Sequence, residues 1–312
     1  MGGGISWDDD RLKHMDLLYQ RQDLTKIQVG TLPQFDKGSC SEGIKGGVGT
    51  GLSCGVDSFH AVLKHLNSGY PSQDLTHLAT FEVGGVHGLY QNPALVRQKI
   101  FERAEKVSRE LKLPLVKLKS NLQHVIWMDN LYHHTYRDVM AVYAMQKLWK
   151  TYYYASSAYG FNYFTLKKCF SIDPAYFELL LLDCFSIEGL RLISAGGEGD
   201  RTDKIEFIAD KPLAQKYLHV CINREINCGV CEKCLRTLLI IDAVNKLDNF
   251  REVFDIDAYL KIREQAWIYC HDKASLPHNA SMYARTYKTL YAQHKEFFDS
   301  ITPATKRMFK AG

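Results

Sequence analysis

Residues 38–69 read GSCSEGIKGGVGTGLSCGVDSFHAVLKHLNSG, and the change of pattern within this stretch indicates the fold. The first part, residues 38–51, is rich in glycine, and we expect it to be a mobile entry into the first ordered element. From Asp57 onward, apolar residues recur at the i, i+3, i+4 and i+7 positions of one helix face. Gly69 stands where a C-terminal cap is expected to end this helix. The apolar positions are Phe59, Val62, Leu63 and Leu66.

The chain beyond this helix alternates between predicted strands and predicted helices. Asn92 and Pro93 are favourable residues for a helix start, and Pro114 ends the helix that they open. Strands and helices that alternate at this short spacing predict an α/β fold with a doubly wound parallel sheet. Strands are predicted at 78–83, 115–118, 153–158 and 190–195, and a further helix at about 137–149.

The sequence is divided into three predicted regions. Residues 1–45 are expected to form an N-terminal arm or a partial domain, and residues 46–248 the α/β domain. Residues 249–312 are predicted to be an α-helical extension, because five of their side chains share one helix face. These are Tyr283, Tyr287, Leu290, Tyr291 and His294.

Composition excludes several classes of protein. Of the 312 residues, 46% are apolar and 24% are charged, which is too apolar for intrinsic disorder. The net charge of +4 does not indicate nucleic acid as an obligate partner. No apolar run is long enough to span a bilayer, and the first residues lack the pattern of a secretory signal. We therefore expect a cytoplasmic protein without membrane segments.

The glycine-rich turn before the helix is suited to binding an anion, because backbone N–H groups and the helix dipole both favour negative charge there. The dinucleotide fingerprint GxGxxG fails, since Cys54 stands at its third glycine position. The Walker A pattern fails because no Gly-Lys-Ser/Thr follows. Residues 53–58 instead spell Ser-x-Gly-x-Asp-Ser. A simpler alternative is that Asp57 and Ser58 only cap the helix.

Four of the nine cysteines fall within residues 221–234, a segment that we call the knuckle. Four thiolates at this spacing favour a closed, structural Zn²⁺ site, which has no open position to activate water. An iron–sulfur cluster is the main alternative, and disulfides are a weaker one in a chain without a signal peptide. The predicted metal ligands are Cys221, Cys228, Cys231 and Cys234.

Residues 53–58 resemble the PP-loop of the N-type ATP pyrophosphatases, which is usually spelled Ser-Gly-Gly-x-Asp-Ser; here Cys54 replaces the first glycine. More narrowly, the chain resembles the 7-cyano-7-deazaguanine synthase family. The knuckle of that family reads Cys, then Cys-Gly-x-Cys-x-x-Cys and soon an Arg, as residues 221–236 do here. Residues 202–208, TDKIEFI, resemble a Lys-x-Glu-aliphatic segment between the two motifs. Residues 151–164 and 172–190 do not match the deazapurine-site sequences of that family.

The resemblance implies an adenylating enzyme with ATP and Mg²⁺ as cofactors. A carboxylate or amide oxygen of a small molecule or modified base would attack the α-phosphate, and ammonia or an amine would then displace AMP. Asp57 would hold Mg²⁺ or fix the loop, and Arg201 and Lys204 would neutralise phosphate charge, with Arg236 able to reach the same site. The implied nucleotide-binding residues are Ser53, Cys54, Gly55, Val56, Asp57, Ser58, Arg201 and Lys204, of which Asp57, Ser58 and Lys204 are the implied catalytic ones.

Other interpretations stay open at this point. Cys54 could be a nucleophile, because a helix N-terminus lowers a thiol pKa. Lys204 could lie in a solvated charged turn. Residues 152–164 could stack a base or form a sheet edge. The chain could be an RNA-modifying PP-loop enzyme, performing thiolation or amidation, or a zinc-stabilised nucleotide-binding module without catalysis, and it could form a homodimer.

Overall fold

The computed structural model describes residues 46–85, 92–121, 130–157, 173–222, 224–276 and 280–301. These residues form an α/β fold around a five-stranded sheet in which every pair of neighbouring strands is parallel. The strand order is β3-β2-β1-β4-β5, so the order changes direction between β1 and β4. The strands are β1 (Gly47–Gly51), β2 (His77–Glu82), β3 (Leu115–Lys119), β4 (Trp149–Ala155) and β5 (Arg191–Ala195).

Helices flank the sheet and continue to the C-terminal part of the chain. They are α1 (Val56–His65), α2 (Pro93–Leu111), α3 (Asn130–Ala144), α4 (Glu178–Phe185), α5 (Arg201–Ala209), α6 (Pro212–Tyr217), α7 (Glu232–Ala243), α8 (Ile256–Lys261), α9 (Arg263–Ala274), α10 (Ala280–Gln293) and α11 (Lys295–Asp299). Short 3₁₀ turns lie at Pro174–Tyr176 and Leu247–Phe250. None of the helices in the described ranges has the length and apolar character needed to cross a bilayer.

Two apolar clusters cover the sheet, one on each face, and neighbouring side chains of β4 belong to different clusters. Val48 and Tyr153 belong to a large cluster that also receives α1, α5 and α7. Tyr152 belongs to a smaller cluster on the other face, where α3 and α4 contribute Val139 and Leu182. The two-residue period of a strand explains this division, since successive side chains point to opposite faces.

The glycine-rich segment is where the structure differs most from expectation. Residues 47–51 are not a mobile entry but the central strand, β1, which lies between β2 and β4. Glycine is needed on one face of β1 because the Trp149 indole lies against it. A Cβ at Gly49 would approach Trp149 Cε3 to 2.7 Å, which is shorter than a normal contact. Residues 38–45 and the rest of the expected arm, 1–45, lie outside the described residues.

Element boundaries follow the sequence signals in some places and depart from them in others. The side chain of Asn92 accepts a hydrogen bond from Leu95 N and caps α2 as predicted. Gly69 does not cap α1, which ends at His65, although it has the left-handed φ of 82° in the following turn. The helix predicted at 137–149 is α3 and covers 130–144. The chain then turns, and Trp149 already belongs to β4, where large aromatic side chains are favoured.

The predicted α-helical character of the C-terminal region is confirmed in the described residues. Its side chains join the same large cluster as the sheet, with Phe250 and Leu290 fully buried in it. Asp242 on α7 is buried and accepts hydrogen bonds from Tyr259 Oη, Trp267 Nε1 and Arg263. The extension is therefore packed onto α7 through both apolar and charged contacts.

Replacing Gly49 with alanine tests the packing of β1. We expect Gly49→Ala to lower the free energy of unfolding by about 2 kcal/mol, because the new methyl group would displace the Trp149 ring. Gly85→Ala is the matched control, since a Cβ there meets no described atom within 4 Å; its effect should stay within about 0.5 kcal/mol. Chemical denaturation of both variants measures the difference. Equal stabilities would contradict the close contact between β1 and Trp149.

Candidate functional site

The Ser53–Ser58 segment follows β1 at the carboxyl edge of the sheet and leads directly into α1. Ligands of open α/β sheets commonly bind at this edge, in the crevice where the strand order changes direction. The segment is attached to the neighbouring strand, because Leu52 N donates to Ala79 O at 2.7 Å and Thr80 Oγ1 donates to Leu52 O at 2.8 Å. The position of β1 in the sheet therefore fixes the start of this segment.

The serines of the segment bond within it rather than capping α1. Ser58 Oγ donates to Gly55 O at 3.0 Å, and Ser53 Oγ lies 3.3 Å from Ser58 Oγ. Gly55 is the N-cap of α1, and no side chain caps the helix. The alternative in which Asp57 and Ser58 only cap the helix is therefore wrong. The N-terminal amides of α1 lie at the edge of the cavity described below, which Gly55 and Val56 line.

Cys54 has the left-handed backbone conformation, with φ of 62°, that glycine adopts most easily. Its side chain is fully buried, and its carbonyl accepts a hydrogen bond from His219 N at 2.8 Å. Burial raises the pKa of the thiol to about 12 and outweighs the opposing charge of Arg103. The expectation of a lowered pKa at this helix N-terminus is wrong, and the thiol is unsuited to nucleophilic attack. Cys54 therefore stands as a small residue at a glycine position.

Lys204 lies on α5 and is fully buried, so the alternative of a solvated turn is wrong. Its ammonium donates to Asp57 Oδ1 at 3.0 Å, to Ser156 O at 2.8 Å and to Ser157 O at 2.7 Å. These three acceptors match the three N–H groups of a lysine. Lys204 consequently joins α5, the end of β4 and the start of α1, and it does not line the cavity.

Asp57 is the partner of two cations. Its Oδ2 lies 3.0 Å from Arg201 Nη2, and its Oδ1 lies 3.0 Å from Lys204 Nζ. Burial opposes ionisation of Asp57, but Arg201 and Lys204 outweigh it and hold the pKa of the carboxyl below its usual range. With both oxygens paired, Asp57 fixes the loop in this structure and is not placed as a free metal ligand.

A cavity of about 440 Å³ opens beside the segment. Its cationic wall contains Arg201 from α5 and Lys233 and Arg236 from α7. Sequence reasoning had placed Arg236 near the site but did not identify Lys233. The signal was available, because positions three apart on a helix share a face: Lys233 lies at the end of the knuckle sequence, and Arg236 follows the knuckle by two residues.

The lining of the cavity also contains Asp138 from α3 and Tyr152 and Tyr154 from β4. Asp138 was not predicted as a site residue, and nothing in its local sequence pattern distinguishes it from other helical acids. Tyr152 and Tyr154 belong to β4, which lies between β1 and β5. The interpretation of the aromatic run 152–164 as a sheet edge is therefore wrong for the part that the structure describes. Residues 158–164 of the same aromatic run lie outside the described residues.

The knuckle brings its four predicted ligands together. The four sulfur atoms lie within 4.8 Å of one another, with 3.9 Å between Cys221 and Cys231 and 4.0 Å between Cys228 and Cys234. The corners of a tetrahedron with Zn–S bonds of about 2.3 Å are about 3.8 Å apart. The four thiols are not joined as disulfides, and hydrogen bonding with Cys234 lowers the pKa of Cys231. The cluster can therefore hold a metal ion such as Zn²⁺.

The knuckle also touches the cavity and orients its cationic wall. Cys221 lines the cavity, and Cys231 is the N-cap of α7, the helix that carries Lys233 and Arg236. Asn227 supports the knuckle: its Oδ1 accepts from Val220 N and Cys221 N, and its Nδ2 donates to Leu218 O and Val253 O. The metal-ligand cluster therefore sets where the helix begins.

Comparison of the chain with protein-family models, curated proteins and solved structures finds no match. The assignment of a function therefore depends on the residues and distances described above.

Alkylation of the native chain tests the state of Cys54. A pKa of about 12, against 9.0 for an ordinary thiol, leaves about a thousandfold fewer thiolates at pH 8. We expect iodoacetamide to leave Cys54 unmodified in the native chain and to modify it in guanidinium chloride, as measured by peptide mass spectrometry. Rapid alkylation of Cys54 in the native chain would restore the nucleophile interpretation.

Metal analysis of the purified chain tests the knuckle. We expect one zinc ion per chain and its loss in Cys228→Ser, because three thiolates leave the tetrahedral site open. Cys184→Ser is the control: Cys184 lies on α4, is buried and is not part of the cluster, so this variant should retain zinc. Elemental analysis that finds iron, or no metal in the wild-type chain, would contradict the zinc assignment.

Proposed function

We propose that this protein is a PP-loop ATP pyrophosphatase that adenylates a substrate and then transfers it to ammonia or an amine. The observation that carries the proposal is the meeting of three sequence motifs around one cavity. The Ser53–Ser58 segment lines the cavity, as do Arg201 on α5 and Lys233 and Arg236 on α7. Lys204 of the third motif does not line it but binds Asp57 of the segment. The strand order β3-β2-β1-β4-β5 is compatible with a doubly wound sheet of this superfamily.

The nucleotide phosphates would bind at the start of α1. Backbone N–H groups at a helix N-terminus favour an anion, and no side chain occupies the cap of this helix. The hydroxyl groups of Ser53 and Ser58 lie at the same place and can turn from their internal hydrogen bonds to a phosphate. These donors would bind the pyrophosphate part of ATP as it leaves.

The cationic residues would divide two tasks between them. Arg201, Lys233 and Arg236 line the cavity and would neutralise charge that develops on the phosphates. Lys204 is instead a positioning residue, because its three N–H groups already bind Asp57, Ser156 and Ser157. Mg²⁺ would enter on the phosphates of ATP. Asp57 fits the role of a loop clamp better than that of a magnesium ligand, because both of its oxygens are paired.

The proposed reaction begins when a carboxylate or amide oxygen of the acceptor attacks the α-phosphorus of ATP. Pyrophosphate leaves, and ammonia or an amine then forms a C–N bond while the C–O bond to AMP breaks. The chain would act mainly by positioning and by charge stabilisation. This reaction is the one implied by the resemblance to the 7-cyano-7-deazaguanine synthase family, and zinc at the knuckle would have a structural role.

Nucleotide binding by the wild-type chain and by Arg236→Ala tests the proposal. We expect the variant to bind ATP at least tenfold more weakly, since a hydrogen bond to a charged group contributes about 1.5–3 kcal/mol. Lys246→Ala is the matched control, because Lys246 pairs with Asp210 and is not among the residues that line the cavity, and its affinity should stay within twofold. Calorimetric titration with ATP gives both values.

Pyrophosphate exchange into ATP separates the enzyme from its alternatives. Exchange that depends on one member of a panel of carboxylic acids supports adenylation. ATP binding without exchange for any acid would support a nucleotide-binding module without catalysis. A wild-type chain that does not bind ATP would contradict both.

A further inference from the structure

The cavity is also lined by residues from the sheet face that carries the smaller apolar cluster, and we call this part of the lining the aromatic end. Phe81 from β2, Asp138 from α3, and Tyr152 and Tyr154 from β4 line it. Phe81 and Tyr152 are stacked with ring centroids 6.1 Å apart and an angle of 19° between the planes. The aromatic end therefore combines the Asp138 carboxylate with several aromatic rings, and the Glu82 carboxylate that also lines the cavity is paired with Arg97.

Tyr152 supplies a polar group to this end. Its side chain is only 3% exposed, and no hydrogen bond to its hydroxyl is found within the described part of the chain. The hydroxyl lies 3.4 Å from the position that a Cβ of Gly51 would occupy, at the point where β1 ends. The oxygen itself retains some exposure and the residue lines the cavity, so the hydroxyl is available to a ligand there.

Among the residues that the structure describes, two acids line this end of the cavity, Glu82 and Asp138. Glu82 is already paired, with its Oε1 at 2.8 Å from Arg97 Nε. For Asp138 no hydrogen bond or ion pair is found among those residues. Burial raises the pKa of its carboxyl to about 6, against the opposing charges of His134 and Arg137. The pKa values of Tyr152 and Tyr154 are raised mainly by burial and next by the negative charge of Asp138. The three groups therefore lie close enough for their charges to interact.

We propose that this end of the cavity binds a small protonated amine, of which ammonium is the smallest, between the Asp138 carboxylate, the Tyr152 hydroxyl and the aromatic rings. A carboxylate accepts hydrogen bonds but donates none, so it selects a ligand with N–H groups. Tyrosine and phenylalanine rings attract cations through their faces. An acceptor carboxylate would be repelled by Asp138 and attracted to Arg201, Lys233 and Arg236, so the two reactants would occupy different parts of the cavity.

The same carboxylate can receive the proton that the amine must lose before it reacts. One N–H proton passes to an Asp138 oxygen, and the nitrogen keeps the electron pair. That pair forms the C–N bond to the adenylated acceptor, while the C–O bond to AMP breaks and its electrons leave with the phosphate. The nitrogen then loses a second proton, to the departing phosphate or to water, which leaves the neutral amide. This step rests on the proposed function, whereas binding of the cation does not.

Methylammonium binding to the full-length chain tests the proposal without ATP or an acceptor. Broadening of the methyl proton signal in NMR titrations at pH 7.5 and constant ionic strength gives the affinity. We expect saturable binding that ammonium chloride displaces and sodium chloride does not. Asp138→Asn should weaken binding at least tenfold, and Tyr152→Phe should weaken it severalfold.

Asp183→Asn is the matched control, because Asp183 is a helical acid exposed on α4 and does not line the cavity; its affinity should equal that of the wild type. Circular dichroism checks that each variant is folded. No saturable binding to the wild type, equal affinity in Asp138→Asn, or equal displacement by sodium would overturn the proposal. If Asp138→Asn does not fold, the test depends on Tyr152→Phe, and an unchanged affinity of that variant for methylammonium would overturn the proposal.

The outcome is distinguishable from that of the proposed function. A chain that binds methylammonium but not ATP would overturn the adenylating enzyme and leave the amine site standing. A chain that binds ATP but not methylammonium would overturn the amine site and leave the adenylating enzyme standing.

Discussion

The geometry of the site depends on the buried ammonium of Lys204. A lysine without exposure to water is unfavourable by several kcal/mol unless its charge is paired and its N–H groups are bonded. Here the partners come from two other elements: Asp57 at the start of α1, and the carbonyl groups of Ser156 and Ser157 after β4. Any displacement of α1, α5 or the end of β4 would separate one of these partners from the charge. The three elements are therefore held in one arrangement, and the arrangement shapes the cavity.

The helix α7 is fixed in a comparable way at both ends. The knuckle determines its start, because Cys231 is its N-cap and Cys234 lies in its first turn. Near its other end, the buried Asp242 receives hydrogen bonds from Tyr259, Arg263 and Trp267. Lys233 and Arg236 thus project from a helix that cannot easily turn or slide. The C-terminal helices contribute to the site through this contact even though they do not line the cavity.

Local patterns predicted the α/β class, the cap at Asn92 and the cysteine cluster, since each depends on neighbours in sequence. The glycines of β1 were misinterpreted because the reason for them, the ring of Trp149, lies about a hundred residues away in the chain. The raised pKa of Cys54 was missed for the same reason: burial by distant elements outweighs the local effect of a helix N-terminus. Asp138 could not be recognised at all, because only the folded chain brings it to the same cavity as the cationic residues. Residues 1–45 lie outside the described structure, and their role stays a prediction.

Cys221 belongs at once to the sulfur cluster and to the wall of the cavity. A metal ion bound by the sulfur atoms and an anion bound in the cavity would therefore both depend on the position of Cys221. Thermodynamic reciprocity then requires that whatever one ligand does to the affinity of the other is returned in equal measure. The affinity for the metal, measured by competition with a chelator at equilibrium, would therefore report on occupancy of the cavity without the chemical identity of the acceptor being known.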